Sequence, residues 1–114
     1  MSIDRKLMTG STDMLLLKLL EQEDMYGYQI IEQLRELSNH VFDLKAGTLY
    51  PLLHQLTQKG FLTTYDQPAG EARVRKYYHL TEKGATQLAQ REQDWRAFAG
   101  AVFGVLGGEN CVLA

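Results

Sequence analysis

The stretch GTLYPLLHQLTQKGFL, residues 47 to 62, restricts the fold more than any other part of the chain. Leu49, Leu52, Leu53 and Leu56 recur at i, i+3, i+4 and i+7, the spacing that lines apolar side chains along one side of an α-helix. Gly60 is a natural residue to end such a helix. The leucines must be buried against other elements, and that decides what stays outward: Thr48, Tyr50, Pro51, His54, Gln55 and Gln58. Pro51 limits where the helix begins, because proline lacks the N–H that an interior position donates. With Thr48 as N-cap, Pro51 falls at the third helical position, where that donor is not needed. With a start at Ala46, the first turn should be irregular.

Two helices are predicted ahead of it. Ser11, Thr12 and Asp13 supply capping and first-turn acidic residues for a helix from about Thr12 to Gln22, and its run of leucines should be buried on most sides. A second helix, roughly Tyr26 to Leu37, carries the stripe Ile30, Ile31, Leu34 and Leu37, and Ser38-Asn39 ends it. After residue 60 the period changes. FLTTYD (61–66) and ARVRKYYHL (72–80) are rich in β-branched and aromatic residues around Gln67-Pro68-Ala69-Gly70, which reads as a hairpin with a charged tip. Arg73, Arg75, Tyr77 and His79 should share one face of its second strand, and Val74, Lys76, Tyr78 and Leu80 the other. Thr81 caps a long final helix to about Leu106, and LGGENCVLA reads as a frayed tail. The expected fold class is α+β and mostly helical: three helices and a two-stranded wing, a winged helix-turn-helix, with a long C-terminal helix. Residues 1–80 would form the DNA-binding domain and 81–114 a dimerisation helix and tail.

Charge distribution matters more than its sum. The chain of 114 residues is 45% hydrophobic and 23% charged with a net charge of −2, a profile of one soluble globular domain. Residues 1–46 carry a net −3, residues 47–83 a net +2 and residues 84–114 a net −1. Positive charge therefore gathers where the hairpin lies. The single cysteine, Cys111, excludes an intrachain disulfide framework. The N-terminus has no apolar signal region, and MLLLKLL (14–20) is too short to span a membrane, so a cytoplasmic location is expected. His40, His54 and His79 lack metal-ligand spacing, Cys111 lacks a paired base and no Gly-rich phosphate loop follows a strand. Neither an enzyme nor a cofactor is expected.

The residues divide into two sets. Hydroxyl, imidazole and amide groups on the outward side of the third helix can bond phosphates and base edges, while Arg73, Arg75 and Lys76 can neutralise phosphates. The alternative for these cations is a solvated, aggregation-resistant edge strand, and for the whole unit a module that binds protein rather than DNA. In the last helix Leu88, Glu92, Trp95, Ala99, Val102 and Leu106 alternate spacings of four and three, with Ala85 extending the seam and Phe98 and Phe103 broadening it. A second copy of the chain is the expected cover; the alternative is that this helix folds back on its own core. Paired copies would match a palindromic site on double-stranded DNA.

From about Leu15 to Gly84 the sequence resembles PadR-family transcriptional regulators, through MYGYQIIEQL (25–34), GTLYPLLHQLTQKGFL (47–62) and RKYYHLTEKG (75–84). The resemblance implies an N-terminal winged-helix DNA-binding domain, a C-terminal dimerisation region and a repressor, often released by a small molecule. It implies DNA contacts at Thr48 and Tyr50 and in the wing at Arg73, Arg75 and Lys76. It also implies the short branch of the family, whose first and last helices build the dimer, enlisting Leu7, Met8 and the Met14–Leu20 face beside Trp95. Two roles stay open for Trp95 on such an axis: packing the interface, or lining a flat apolar cavity where a planar hydrophobic compound stacks.

Overall fold

The structure, a computed structural model, describes residues 10–107. Leu7, Met8 and Cys111 lie outside the described residues. The order is α1 (Thr12–Gln22), β1 (Met25–Tyr26), α2 (Gly27–Leu37), α3 (Ala46–Gln58), β2 (Leu62–Pro68), β3 (Val74–Leu80) and α4 (Glu82–Leu106). The three strands form one antiparallel sheet in the order β1-β3-β2. Its β1 is a strand the sequence reading did not anticipate. Met25 and Tyr26 pair with Tyr78 and Tyr77, so the hairpin is tied to the segment between the first two helices.

Leucines from every helix meet in one core: Leu16 and Leu17 of α1, Leu49 and Leu53 of α3 and Leu88 of α4, with Ile30 of α2 and Leu62 of β2. At roughly 1.5–3 kcal/mol per fully buried side chain, this cluster is the main favourable term holding the helices together. The stripe on α2 is buried only through Leu34; Leu37, expected inward, is exposed because α2 ends there and the chain turns away. That turn runs through Asn39 and His40, both left-handed at φ 55° and 70°, while Ser38 Oγ accepts from the Phe42 N–H at 2.9 Å.

Helix α3 takes the earlier of the two anticipated starts, and its first turn is tight: the Thr48 and Leu49 amides both donate to the Lys45 carbonyl at 2.9 Å. Pro51 sits at the sixth position, so the Gly47 carbonyl loses its usual i+4 partner. Gly60, at φ 83°, ends the helix as expected. The hairpin turn lies later than expected, because β2 runs on through Gln67 and Pro68. Pro68 is tolerated there at the end of an edge strand, where a missing N–H costs little.

Thr81 joins the hairpin, α3 and α4. Its hydroxyl donates to the Gly60 carbonyl at 2.7 Å and accepts from the Gly84 amide at 3.0 Å, while its own amide donates to the Phe61 carbonyl. This contact explains Gly84 in the RKYYHLTEKG motif. A Cβ there would collide with the Phe61 backbone carbonyl and meet Leu80 Cδ1 at 2.7 Å. On the other side of the body, Lys18 of α1 reaches Glu21 at 3.0 Å and Glu92 of α4 at 3.3 Å, and Glu92 also accepts from Arg96 at 2.9 Å. The Arg96 hydrogen bond, then that of Lys18, holds the Glu92 carboxyl below its ordinary pKa.

The seam expected to face a second copy splits in two. Leu88 is 1% exposed inside the chain's own core, which corrects its placement in an interface between copies: α4 starts against α1, so this turn is already covered. Ala99 is likewise buried within the chain. Trp95, Phe98, Val102 and Leu106 stay open, at 44%, 66%, 39% and 73% exposure. Gly84→Ala is expected to cost about 1–3 kcal/mol, since backbone must move to admit the methyl group; urea denaturation of the full chain measures it, and a loss below a few tenths would refute the close approach.

Candidate nucleic-acid interface

All eight residues assigned to DNA contact from the sequence are exposed: Thr48, Tyr50, Pro51, His54 and Gln55 on α3, and Arg73, Arg75 and Lys76 on the wing. The leucine stripe is the cause on α3. Leu49 and Leu53 have no exposed surface, so the helix cannot turn without exposing them. Arg73 sits in the tight turn of the wing, where its carbonyl accepts from the Ala69 amide at 2.9 Å and Gly70 and Ala72 are left-handed. Arg75 and Lys76 leave β3 on opposite faces, as the alternation requires.

Between the start of α3 and the wing runs a groove of about 310 Å³, lined by Tyr26, Gly27, Tyr50, Val74, Arg75, Lys76 and Tyr78. It brings the residue-50 end of the outward face of α3 to the cations of the wing; His54 and Gln55 lie further along α3. Tyr50 takes its position from Gly27, because its phenol occupies the space a Cβ at residue 27 would need. This is why the MYGYQIIEQL motif carries a glycine at residue 27. Burial, and then the nearby Tyr50, push the Tyr78 hydroxyl above its ordinary pKa.

The outer face of the sheet carries a row the sequence reading did not assemble. Tyr77 stacks on Tyr65 at 5.6 Å between ring centroids and meets the edge of Tyr26 at 5.5 Å. The Arg75 guanidinium lies 4.3 Å over the Tyr26 ring. At the inner end of the row, Asp24 accepts from the Tyr65 hydroxyl at 2.7 Å and from His79 Nδ1 at 2.9 Å. An ionised carboxylate only accepts, so the Nδ1 of His79 carries the proton here. The signal for this row was present as alternate residues 75, 77 and 79. What hid it was β1, too short to read as a strand. Among the described residues, no group of three or more His, Cys, Asp or Glu side chains is placed to hold a metal ion, and no helix is long and apolar enough to cross a membrane.

Three helices on one core, the third with a polar outward face, and a basic two-stranded wing beside it make a winged helix-turn-helix protein. The family described as "Transcriptional regulator PadR-like family" matches residues 16–90. The chain belongs to that PadR-like family. It is 37% identical over 76 residues to the transcriptional regulator Rv3488 of Mycobacterium tuberculosis, covering 67% of each chain. It is 31% identical over 80 residues to the negative transcriptional regulator PadR of Bacillus subtilis, 70% of this chain and 42% of that protein. The crystal structure of a PadR-like transcriptional regulator from Bacillus cereus matches with a TM-score of 0.80 at 28% identity, over 91% of this chain and 99% of that one.

The Asp24 carboxyl has a definite titration. Partial burial pushes its pKa up, but the hydrogen bonds from Tyr65 and His79 and the His79 charge outweigh this and hold it below the ordinary 3.8. A depressed carboxylate contributes stability that is present above its unfolded pKa and lost as pH falls through the folded one. Carbon-13 NMR should find the Asp24 midpoint below 3.8, rising in Tyr65→Phe; a midpoint that ignores that substitution would contradict the contact.

Proposed function

We propose that the chain acts as a homodimeric, sequence-specific repressor that binds a palindromic operator and is released by a planar hydrophobic compound. The observation that carries the DNA part is the joint exposure of Thr48, Tyr50, Pro51, His54 and Gln55 on α3 beside a groove whose other wall bears Arg75 and Lys76. In this reading α3 enters the major groove by that face, its polar groups bonding base edges and its first turn meeting the backbone. Arg73, Arg75 and Lys76 meet phosphates alongside and displace counterions. A cation–π contact holds a guanidinium without using its N–H donors, so the hold of Tyr26 on Arg75 suits it to a phosphate.

Pairing is supported by the apolar surface left open at Trp95, Phe98, Val102 and Leu106. Contiguous exposed apolar side chains on a helix mark an interaction site, and a second copy of the same face satisfies it with two-fold symmetry. Within the division into residues 1–80 and 81–114, the first turns of α4 and Ala99 are covered by the chain itself, and the open apolar side chains from Trp95 onward are left for a partner. The negative sign is supported by the Bacillus subtilis relative, a negative transcriptional regulator, and by the steric consequence of occupying promoter DNA. Trp95, half-open on that face, is the residue we assign to the effector: two copies facing each other would offer two indole rings to a flat molecule.

Fluorescence anisotropy on the duplex upstream of the protein's own gene tests the DNA part. Binding at micromolar affinity or better, falling steeply with salt, is expected; Arg73→Ala should flatten the salt slope by about one while weakening all sequences alike. His54→Ala should also change sequence preference. No binding, or salt-indifferent binding, would favour a protein-binding module. For the pairing, light scattering should give twice the chain mass, and Trp95→Glu should return it to one; a monomeric wild type would contradict the dimer. Saturable quenching of Trp95 by a planar hydrophobic compound supports the effector role, and no saturable change across a panel reduces Trp95 to packing.

A further inference from the structure

We propose that Asp24 is a positioning residue for DNA binding: its carboxylate latches both wing strands to the helical body and so fixes where the wing cations point. This rests on the DNA-binding reading above. The need for a latch follows from where the core stops. On the inner face of the sheet, Met25, Leu62 and Tyr78 are buried, but beyond them Val74, Lys76, Asp66 and Pro68 are exposed. The outer half of the wing, which carries Arg73 to Lys76, therefore has no core beneath it. Among the described residues, the backbone pairing of β3 with β1 covers Tyr77 and Tyr78 and stops short of Lys76.

The direction of that half is set from the other face. Asp24 is the last residue before β1, and each of its two oxygens takes one hydrogen, from Tyr65 of β2 and His79 of β3. Tyr77 then stacks on Tyr65 and meets the edge of Tyr26, carrying the attachment one step further toward the tip. From Tyr77 to Arg73 the strand runs on the order of 13 Å at the usual rise. A tilt of about 10° at its base would move the tip by about 2 Å, more than a hydrogen bond to a phosphate tolerates. The latch thus acts on affinity through geometry, without touching DNA.

The sign of one substitution separates this role from charge alone. Removing a negative group beside a DNA-binding surface should strengthen binding if Asp24 acts only by repulsion. The latch requires the opposite. In the full chain, Asp24→Ala should weaken binding to the upstream duplex about 5- to 20-fold, the loss that one or two hydrogen bonds carry, with the salt slope unchanged. Lys76→Ala, by contrast, should flatten that slope by about one. Asp24→Asn, which keeps an acceptor for Tyr65 and an N–H that His79 can accept, should retain most of the affinity.

Amide exchange without DNA reads the latch itself. Residues 63–67 and 75–79 should exchange about tenfold faster in Asp24→Ala, and faster by a smaller factor in the milder Tyr65→Phe. Unchanged exchange in both variants, or tighter binding by Asp24→Ala, would overturn the proposal. If the wild type did not bind the duplex at all, the regulator reading would fail while the exchange measurement still decided the latch.

Discussion

The rotation of α3 about its own axis is the constraint on which the rest of the structure depends. Leu49, Leu53 and Leu56 fill the centre of the core, and the first two have no exposed surface at all. Turning the helix by a single residue, about 100°, would lift those leucines into water at a cost of several kcal/mol. With the rotation fixed, Thr48, Pro51, His54 and Gln55 have nowhere to point but outward. Tyr50, at the flank of the exposed arc, is steered across α2 by the space that Gly27 leaves open. Its position is a consequence of two sequence-distant residues agreeing, and the surface proposed to read DNA begins there.

The wing and the last helix are attached to that core by different physics. Thr81 closes a backbone junction between the end of α3 and the start of α4, and the bare Cα of Gly84 lets α4 begin against the Phe61 carbonyl. α4 is then clasped to α1 by Leu88 beneath and by the exposed Lys18–Glu92 pair above, whose Glu92 is also held by Arg96 of its own helix. Exposed ion pairs contribute little each, so the packing at Leu88 holds the helix and the charges fix its register. Beyond the clasp α4 presents Trp95, Phe98 and Val102 to the outside. The same helix is thus a core element at its start and an open apolar face at its end.

Much of this was legible in the sequence, for identifiable reasons. The bounds of α1 and α4, the inward face of α3 and the exposure of all eight candidate contacts followed from periodicity and caps, because burial enforces those patterns over many residues. The PadR-like family was legible from three local motifs. What sequence reading missed is non-local. β1 is two residues long and exists only because β3 lies beside it, so no local pattern announces it. The Asp24–Tyr65–His79 contacts join residues 41 and 55 positions apart. Leu88 fits a coiled-coil seam and a folded-back helix equally well, and only the neighbouring face of α1 decides between them. Leu37 follows the stripe but falls at a helix end, where the period no longer guarantees a neighbour.

In the proposed function, the exposed side of α3 and the wing form one surface that meets DNA together. Chemical-shift mapping of the full chain, titrated with the duplex upstream of its own gene, tests this most directly. Perturbations are expected at Thr48, Tyr50, His54 and Gln55 and, in the same titration, at Arg73, Arg75 and Lys76, with the Leu16 and Leu17 face of α1 silent. Perturbations confined to the far end of α4, or to α3 with the wing unmoved, would contradict it.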